Sequence, residues 1–205
     1  FRDMLGDIDE PTLAYGIQDV QGDGSGIEEV HQVLDSQLSS RIRSIARQLG
    51  VSAASLAHLA WAQVAGRVSG REEVVFGTVL MGRMQGGNGS DRALGMFINT
   101  LPLRISVGRQ SALAAVKLTH QRLSALLGHE HASLSLAQRC SGVPSSLPLF
   151  STLLNYRHSN GSAASTDTVS AWQGIQTLSM EERTNYPLCL NVDDLGDDFT
   201  LTIQA

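Results

Sequence analysis

Apolar positions along this chain fall into two periodicities, separated by polar, glycine-rich stretches. The first periodicity is helical. From Leu38, apolar residues recur at Ile42, Ile45, Ala46 and Leu49, the spacing of one helix face. Asp35 or Ser36 is placed to cap its start. Gly50 is placed to end it, because glycine tolerates the positive φ of a helix terminus. Arg41, Arg43 and Arg47 are expected to point away from that face. Ser52 opens a second helix, roughly Ala53 to Ala65, that is apolar nearly all round, which predicts burial on several sides. Ser111 to Leu127 is the longest amphipathic stretch, with Leu113, Val116, Leu123, Leu126 and Leu127. Ser133 is placed to cap a short helix ending near Cys140.

The second periodicity is that of strands. Glu73 to Met81 holds a continuous apolar run, Val74, Val75 and Phe76, then Val79 and Leu80, which predicts an interior strand. Leu149 to Tyr156 has the same buried-strand character. Glu29 to Leu34 reads as a short strand and Leu101 to Val107 as another. Near the end, Leu188, Leu190 and Val192 alternate, Asp193 to Asp198 turn, and Phe199, Leu201 and Ile203 alternate back, which is a hairpin. Between these elements, residues 1–26 are acidic and loop-rich and read as an incoming connector. Gly82 to Ser90 and Arg157 to Thr168 read as loops. No internal repeat emerges. Helices mixed with strands, and an antiparallel end, predict an α/β or α+β lobe.

Composition narrows the possibilities. At 205 residues the chain fits one domain or one large lobe of a bigger one. Net charge is −5 and Lys117 is the only lysine, which argues against a general nucleic-acid surface. No apolar run is long enough to span a bilayer and no signal peptide is evident, so a cytoplasmic location is expected, with no membrane partner. Cys140 and Cys189 lack zinc spacing and read as two buried thiols. The chain opens on Phe1, and FRDMLGDIDEPT reads as the middle of a longer chain.

Candidate chemistry is mostly subtracted. MGRMQGGNGS lacks the GK[ST] of a phosphate loop and the register of a dinucleotide fingerprint. Asp193, Asp194, Asp197 and Asp198 lack calcium-loop spacing and read as a solvated hairpin tip. His129-Glu130-His131 does not put two imidazoles on one helical face, so no metal site is expected. His58 reads as a packed, hydrogen-bonded core histidine. His120 falls on the apolar side of its helix, as a core histidine or a base. No GxSxG elbow is present.

Four segments carry a resemblance. GTVLMGR (Gly77 to Arg83) resembles a strand ending in a Gly-Arg pair in the condensation domain of nonribosomal peptide synthetases. LGMFINTLPLR (Leu94 to Arg104) is similar to that family's [IV]GxFxNTxxxR motif, with Leu94 in place of Ile or Val. LPLFSTLLNYRHS resembles the later Asn-Pro-Leu-Phe segment, with Leu147 where asparagine is usual. RTNYPLCLNVDD (Arg183 to Asp194) resembles an Asn-Tyr-Pro strand near the domain's end.

The resemblance implies a lobe like chloramphenicol acetyltransferase, a two-layer α/β sandwich whose mixed sheet carries helices on one face. Two such lobes form a tunnel, which phosphopantetheine arms of two carrier proteins enter from opposite sides. An amine on one arm then attacks a thioester on the other. Here the HHxxxDG motif is absent. Residues 27–205 would be the C-terminal lobe, stopping early, and residues 1–26 would lead in from a missing N-terminal lobe. No catalytic residue is expected in this chain, which alone would be inactive. Tunnel candidates are Met81, Gly82, Arg83, Asn99 and Thr100. Met81 has the bulk to limit an acceptor pocket, or it is core. Asn99 either faces the reacting groups or holds a turn. Gly95, Phe97 and Arg104 would be structural, Arg104 through an ion pair.

The implied partners are the N-terminal lobe, upstream and downstream peptidyl carrier proteins and an adenylation domain. No directly bound cofactor is implied. Alternatives are a noncatalytic docking or recruitment module and the lobe of an epimerisation domain, although the NTLPLR version of the motif looks more like condensation.

Overall fold

The fold is described from a computed structural model, for residues 1–83, 94–158, 174 and 182–205. Local capping chemistry sets the helix boundaries. Helix α1 spans Arg2–Leu5, and strand β1 spans Glu29–Val33. Helix α2, Ser36–Leu49, starts where the Asp35 carboxylate accepts the Leu38 N–H at 2.8 Å. It stops at Gly50, whose φ of 66° lies in the left-handed region. Helix α3 spans Ala53–Ser69, with the Ser52 hydroxyl as its cap. It runs four residues past the expected Ala65. It ends at Gly70, whose φ of 70° is left-handed, while Gly66 lies inside the helix at a close approach where a Cβ would press on the Arg71 carbonyl and the Val107 side chain.

Strands β2 (Glu73–Leu80) and β3 (Asn99–Ser106) follow. Helix α4 (Ala112–Leu127) starts at a Ser111 cap and α5 (Leu134–Gln138) at a Ser133 cap. Strands β4 (Thr152–His158), β5 (Leu188–Asp194) and β6 (Phe199–Gln204) complete the set. The buried LFSTLLNY run enters β4 three residues later than its apolar character begins. Leu149 and Phe150 are buried as loop.

The six strands form one open mixed sheet in the order β1-β6-β5-β4-β2-β3. The pairs β2–β4 and β4–β5 are parallel and the other three are antiparallel. The β5–β6 hairpin joins Asp194 to Phe199 across its turn, as its alternation predicts.

Alternate residues of β2 divide the core between the two sheet faces. Val74 and Phe76 pack under α3 and α4, with Trp61, Leu103 and Val192. Val75 points the other way, into a smaller cluster with Leu5, Ala137, Leu149 and Phe150. The three long helices therefore lie on one face, as expected, while the short α1 and α5 cover part of the other. Sequence reading missed α1. Residues 1–26 are also more than a connector: Leu5, Thr12 and Ala14 are buried, and Thr12 bridges to Phe150 while its hydroxyl oxygen accepts the Val75 N–H. Among the described residues, no helix is long and apolar enough to cross a membrane.

Candidate functional site

The register of β2 against β3 builds the candidate site. Thr78 pairs with Leu101, Val79 with Thr100 and Leu80 with Asn99. The two resembling motifs thus lie side by side, with their outer ends meeting beyond the sheet. There β2 continues into Met81, Gly82 and Arg83, while β3 is approached through Leu94 to Ile98. Asn99 and Thr100 are the first two residues of β3, so the strand starts earlier than the apolar pattern alone predicts.

Close backbone approach closes this corner. Gly82 has φ 67°, and a Cβ on it would collide with the Phe97 carbonyl. No other residue type fits without moving that backbone. The Arg83 guanidinium lies 4.8 Å from the centroid of the half-buried Phe97 ring, a cation–π contact across the same gap. A Cβ at Gly95 would meet that ring at 3.1 Å. Phe97 is thus the hub that Gly82, Arg83 and Gly95 surround.

Asn99 is held from one side. Its amide donates to the carbonyls of Glu130 (2.8 Å) and Ala132 (2.7 Å), tying β3 to the turn after α4. Thr100 is half-buried, and its methyl lies on the side of the sheet where Gly77 leaves room. Around the clasp, Met81, Leu94, Met96 and Ile98 are exposed, Leu94 and Met96 almost fully. Sequence reading had noted Leu94 only as a motif variant and had not singled out Met96 and Ile98. The mostly apolar run from Leu94 to Ile98, beside a glycine-rich stretch, was the available signal. The remainder of the expected glycine-rich loop, residues 84–90, lies outside the described residues, as does most of the expected loop after His158.

Arg104 sits at the inner end of the motif. It donates to Glu73 at 2.8 Å, to both carboxylate oxygens of Asp7 and to the Met4 carbonyl. The Asp7 hydrogen bonds, more than those of Glu73, raise its pKa above the ordinary arginine value. Burial pushes Glu73 up, but hydrogen bonds from Ser106 and Arg104 outweigh it and hold its carboxyl low. The arginine ties β3 to β2 and to the N-terminal segment.

The two histidines on helices α3 and α4, His58 and His120, both have internal partners. His58 is buried between α3 and β2. Its Nδ1 meets the Ala54 carbonyl at 2.6 Å and its Nε2 the Thr78 hydroxyl at 2.7 Å. A carbonyl only accepts, so Nδ1 carries the proton and Nε2 accepts from Thr78. Burial lowers its pKa to about 4, against the opposing pull of the Ala54 bond, and the ring is neutral. His120 shares a 3.0 Å hydrogen bond with Ser55, which is fully buried and also bonded to the Ser52 cap. That serine has no open side for a substrate. No group of three metal-ligating side chains occurs among the described residues. Both cysteines are free; Cys189 is buried, its thiol pushed up to about 12 by that burial, while Cys140 is only half-buried.

Two expectations need correction. Asp194 is not part of a solvated tip. It is buried and receives Arg43 at 2.7 Å, Tyr156 at 2.7 Å and His158 at 3.0 Å. Arg43 does not point away either: it reaches inward from α2, with its guanidinium 4.1 Å from the Phe199 ring centroid. Neither was visible locally, because the partners come from α2, β4 and β6.

With this geometry in place, comparison with known proteins identifies the class. The chain matches the family model of the condensation domain over residues 17–205 and belongs to that family. It is 52% identical over 205 residues to malpibaldin synthetase from Mortierella alpina, covering all of this chain and 4% of that protein. Further relatives are nonribosomal peptide synthetases. The chain therefore spans a few per cent of the curated relatives it matches. Among solved structures it is similar to a four-domain nonribosomal peptide synthetase bound to AMP and glycine, with a TM-score of 0.73 at 13% identity, covering 99% of this chain and 17% of that one. It also resembles the condensation domain of the Monacolin K polyketide synthase MokA, with a TM-score of 0.67 at 19% identity, covering 98% and 45%. At such identities these two likenesses establish the fold: an α/β lobe of the chloramphenicol-acetyltransferase type.

Proposed function

We propose that this chain is the C-terminal lobe of a peptide synthetase condensation domain and helps to form an amide bond between two carrier-bound substrates. Residues 27–205 form the lobe, and residues 1–26, packed onto it, lead in from a first lobe that bears HHxxxDG. The acceptor's amine nitrogen attacks the donor's thioester carbonyl. The C–N bond forms, the C–S bond breaks, and the proton lost by the amine ends on the departing thiolate. Substrates arrive on phosphopantetheine arms of upstream and downstream carrier proteins, and an adjacent adenylation domain loads them.

The second histidine of the first lobe orients or deprotonates the amine. This lobe contributes shape. Gly82, Phe97 and Arg83 fix a corner, and Met81, Met96 and Ile98 give an apolar wall to a tunnel between the lobes. The single observation that carries this reading is that corner: two family motifs are locked together at their ends, and the residues between them present uncovered apolar side chains. Asn99 serves this corner as its anchor through the two carbonyls it binds.

A second reading, a noncatalytic docking module, is favoured by one observation: the chain lacks HHxxxDG, and its most deeply buried histidine, His58, is locked between Ala54 and Thr78. Intact-protein mass spectrometry with loaded donor and acceptor carriers separates the two. Amide product only when a separately expressed HHxxxDG lobe is added supports the split site. Product from the chain alone contradicts it. No product in either case, with an active full-length parent, favours the docking module.

A further inference from the structure

We infer that His158, backed by Asp194, is a proton-transfer group at the edge of the tunnel: it takes the proton that the acceptor's ammonium must lose before its nitrogen can attack. The inference deepens the amide-forming reading and rests on it. It gives this lobe a chemical part beside shape.

Topology places the group. Strands β2, β4 and β5 run parallel, so their last residues stand along one edge of the sheet. Thr78 is level with Leu154, which puts Leu80 level with Tyr156 and His158 two residues further on, beside the stretch Met81 to Arg83. The corner and His158 thus lie on adjacent strands at the same edge. In open α/β sheets, ligands bind beyond the carboxyl ends of the strands. The chain's last strand leads away from this edge: β6 returns antiparallel, and Gln204 is level with Cys189 at the opposite one.

Chemistry singles His158 out. Among the described residues, three histidines lie within 3.8 Å of a carboxylate. His31 meets Glu29, which is itself part-exposed, and His131 stands 3.8 Å from buried Glu130, beyond hydrogen-bond reach. Only the third pair combines contact with burial. His158 Nδ1 is 3.0 Å from Oδ2 of Asp194, whose side chain is 6% exposed. A carboxylate oxygen only accepts, so Nδ1 carries the proton and the lone pair of the neutral ring is on Nε2.

Asp194 is held for this part. Tyr156 donates to the same oxygen at 2.7 Å, and Arg43 and the Gly196 N–H donate to the other at 2.7 and 3.2 Å. Burial pushes its pKa up, but these bonds outweigh burial and hold the carboxyl below the usual range. A fixed anion behind an imidazole orients the ring and stabilises the imidazolium that forms when it takes a proton. Arg43 of α2, Tyr156 of β4 and Asp194 of β5 gather on this side of the sheet. Arg157 and Asp193 alternate to the other face and pair with each other there. The His158 side chain is 51% exposed, which gives the proton a way on to solvent.

The step balances. At neutral pH most of the acceptor's α-amine is ammonium, since such amines ionise at about 7.7–8.0. One N–H bond breaks, its proton passes to Nε2, and the imidazolium hands it to solvent. The freed nitrogen attacks the thioester, and the proton it loses in that step goes to the departing thiolate.

The test uses the parent synthetase with loaded carriers, in a single turnover read by intact-protein mass spectrometry. His158→Gln should slow amide formation about tenfold at pH 7 but only about twofold at pH 9, where the amine is already free. With an aminooxyacetyl acceptor, whose nitrogen is unprotonated at pH 7, the variant should match the parent. His31→Gln, on the opposite face of the sheet, should leave every rate unchanged. Circular dichroism checks that both variants are folded. A deficit equal at both pH values, or equal with both acceptors, makes His158 structural and overturns the inference. So does an unchanged rate at pH 7 in an active parent. A parent that forms no amide at all overturns the amide-forming reading itself, and the inference with it.

Discussion

Strand β2 passes through two environments. From Val74 to Thr78 it is sealed: Val74, Val75 and Phe76 are fully buried, and His58 fixes Thr78 from above. From Met81 to Arg83 it emerges into the corner with Leu94 to Ile98, where the backbone fit is just as tight but the apolar side chains stand in solvent. The interior is complete in itself. The corner is held as firmly yet left uncovered, the arrangement expected where a fold prepares a surface for something else.

Substitutions in the two regions should therefore differ in what they damage. The largest loss of stability is expected inside. Phe76→Ala empties a fully buried site beneath α3 and α4 and should cost about 3–5 kcal/mol in chemical denaturation. A cost below about 1 kcal/mol would mean that this core is loosely packed.

Acid comes next. His58 titrates at about 4 when folded and near its ordinary value of 6.5 when unfolded. Between those values the unfolded chain binds more protons, so stability falls as pH is lowered through that window. The loss should be on the order of 3 kcal/mol by pH 4. His58→Gln should flatten this slope between pH 6.5 and 4, measured by urea midpoints across pH. A slope unchanged in the variant would assign the acid sensitivity to other groups.

Asn99→Ala belongs to the border between the regions. It strips the Glu130 and Ala132 carbonyls of their donor and should cost about 1–3 kcal/mol. Hydrogen exchange should then rise in the turn after α4 and not in α3. Met96→Ser should be the quietest, within about 0.5 kcal/mol of the parent, because its side chain is almost fully exposed. In the same variant, amide formation by the parent synthetase should fall about tenfold or more. A normal rate would remove Met96 from the tunnel wall.

The sequence revealed these regions unequally. Elements with local chemistry were legible: Asp35 and Gly50 bound α2, Ser111 opens α4, and the apolar run of β2 marks an interior strand. Helix α1 was not legible, since four residues carry no periodicity, and its Leu5 finds its neighbours across the sheet. Nor was the role of Asp194, which looks like one more aspartate at a turn until Arg43, Tyr156 and His158 arrive from distant segments. In the candidate site, the motif residues were recognisable by family resemblance. The clasp of Gly82 on the Phe97 carbonyl was not, because it depends on the β2–β3 register rather than on either segment alone.

The corner's purpose is tested most directly by hydrogen exchange on this chain, free and then bound to the HHxxxDG-bearing lobe of its parent. New protection is predicted at residues 81–83 and 94–100, with Val74 to Phe76 of β2 unchanged because they are already sealed. Binding that protects other surfaces and leaves both of these segments as they were would contradict it.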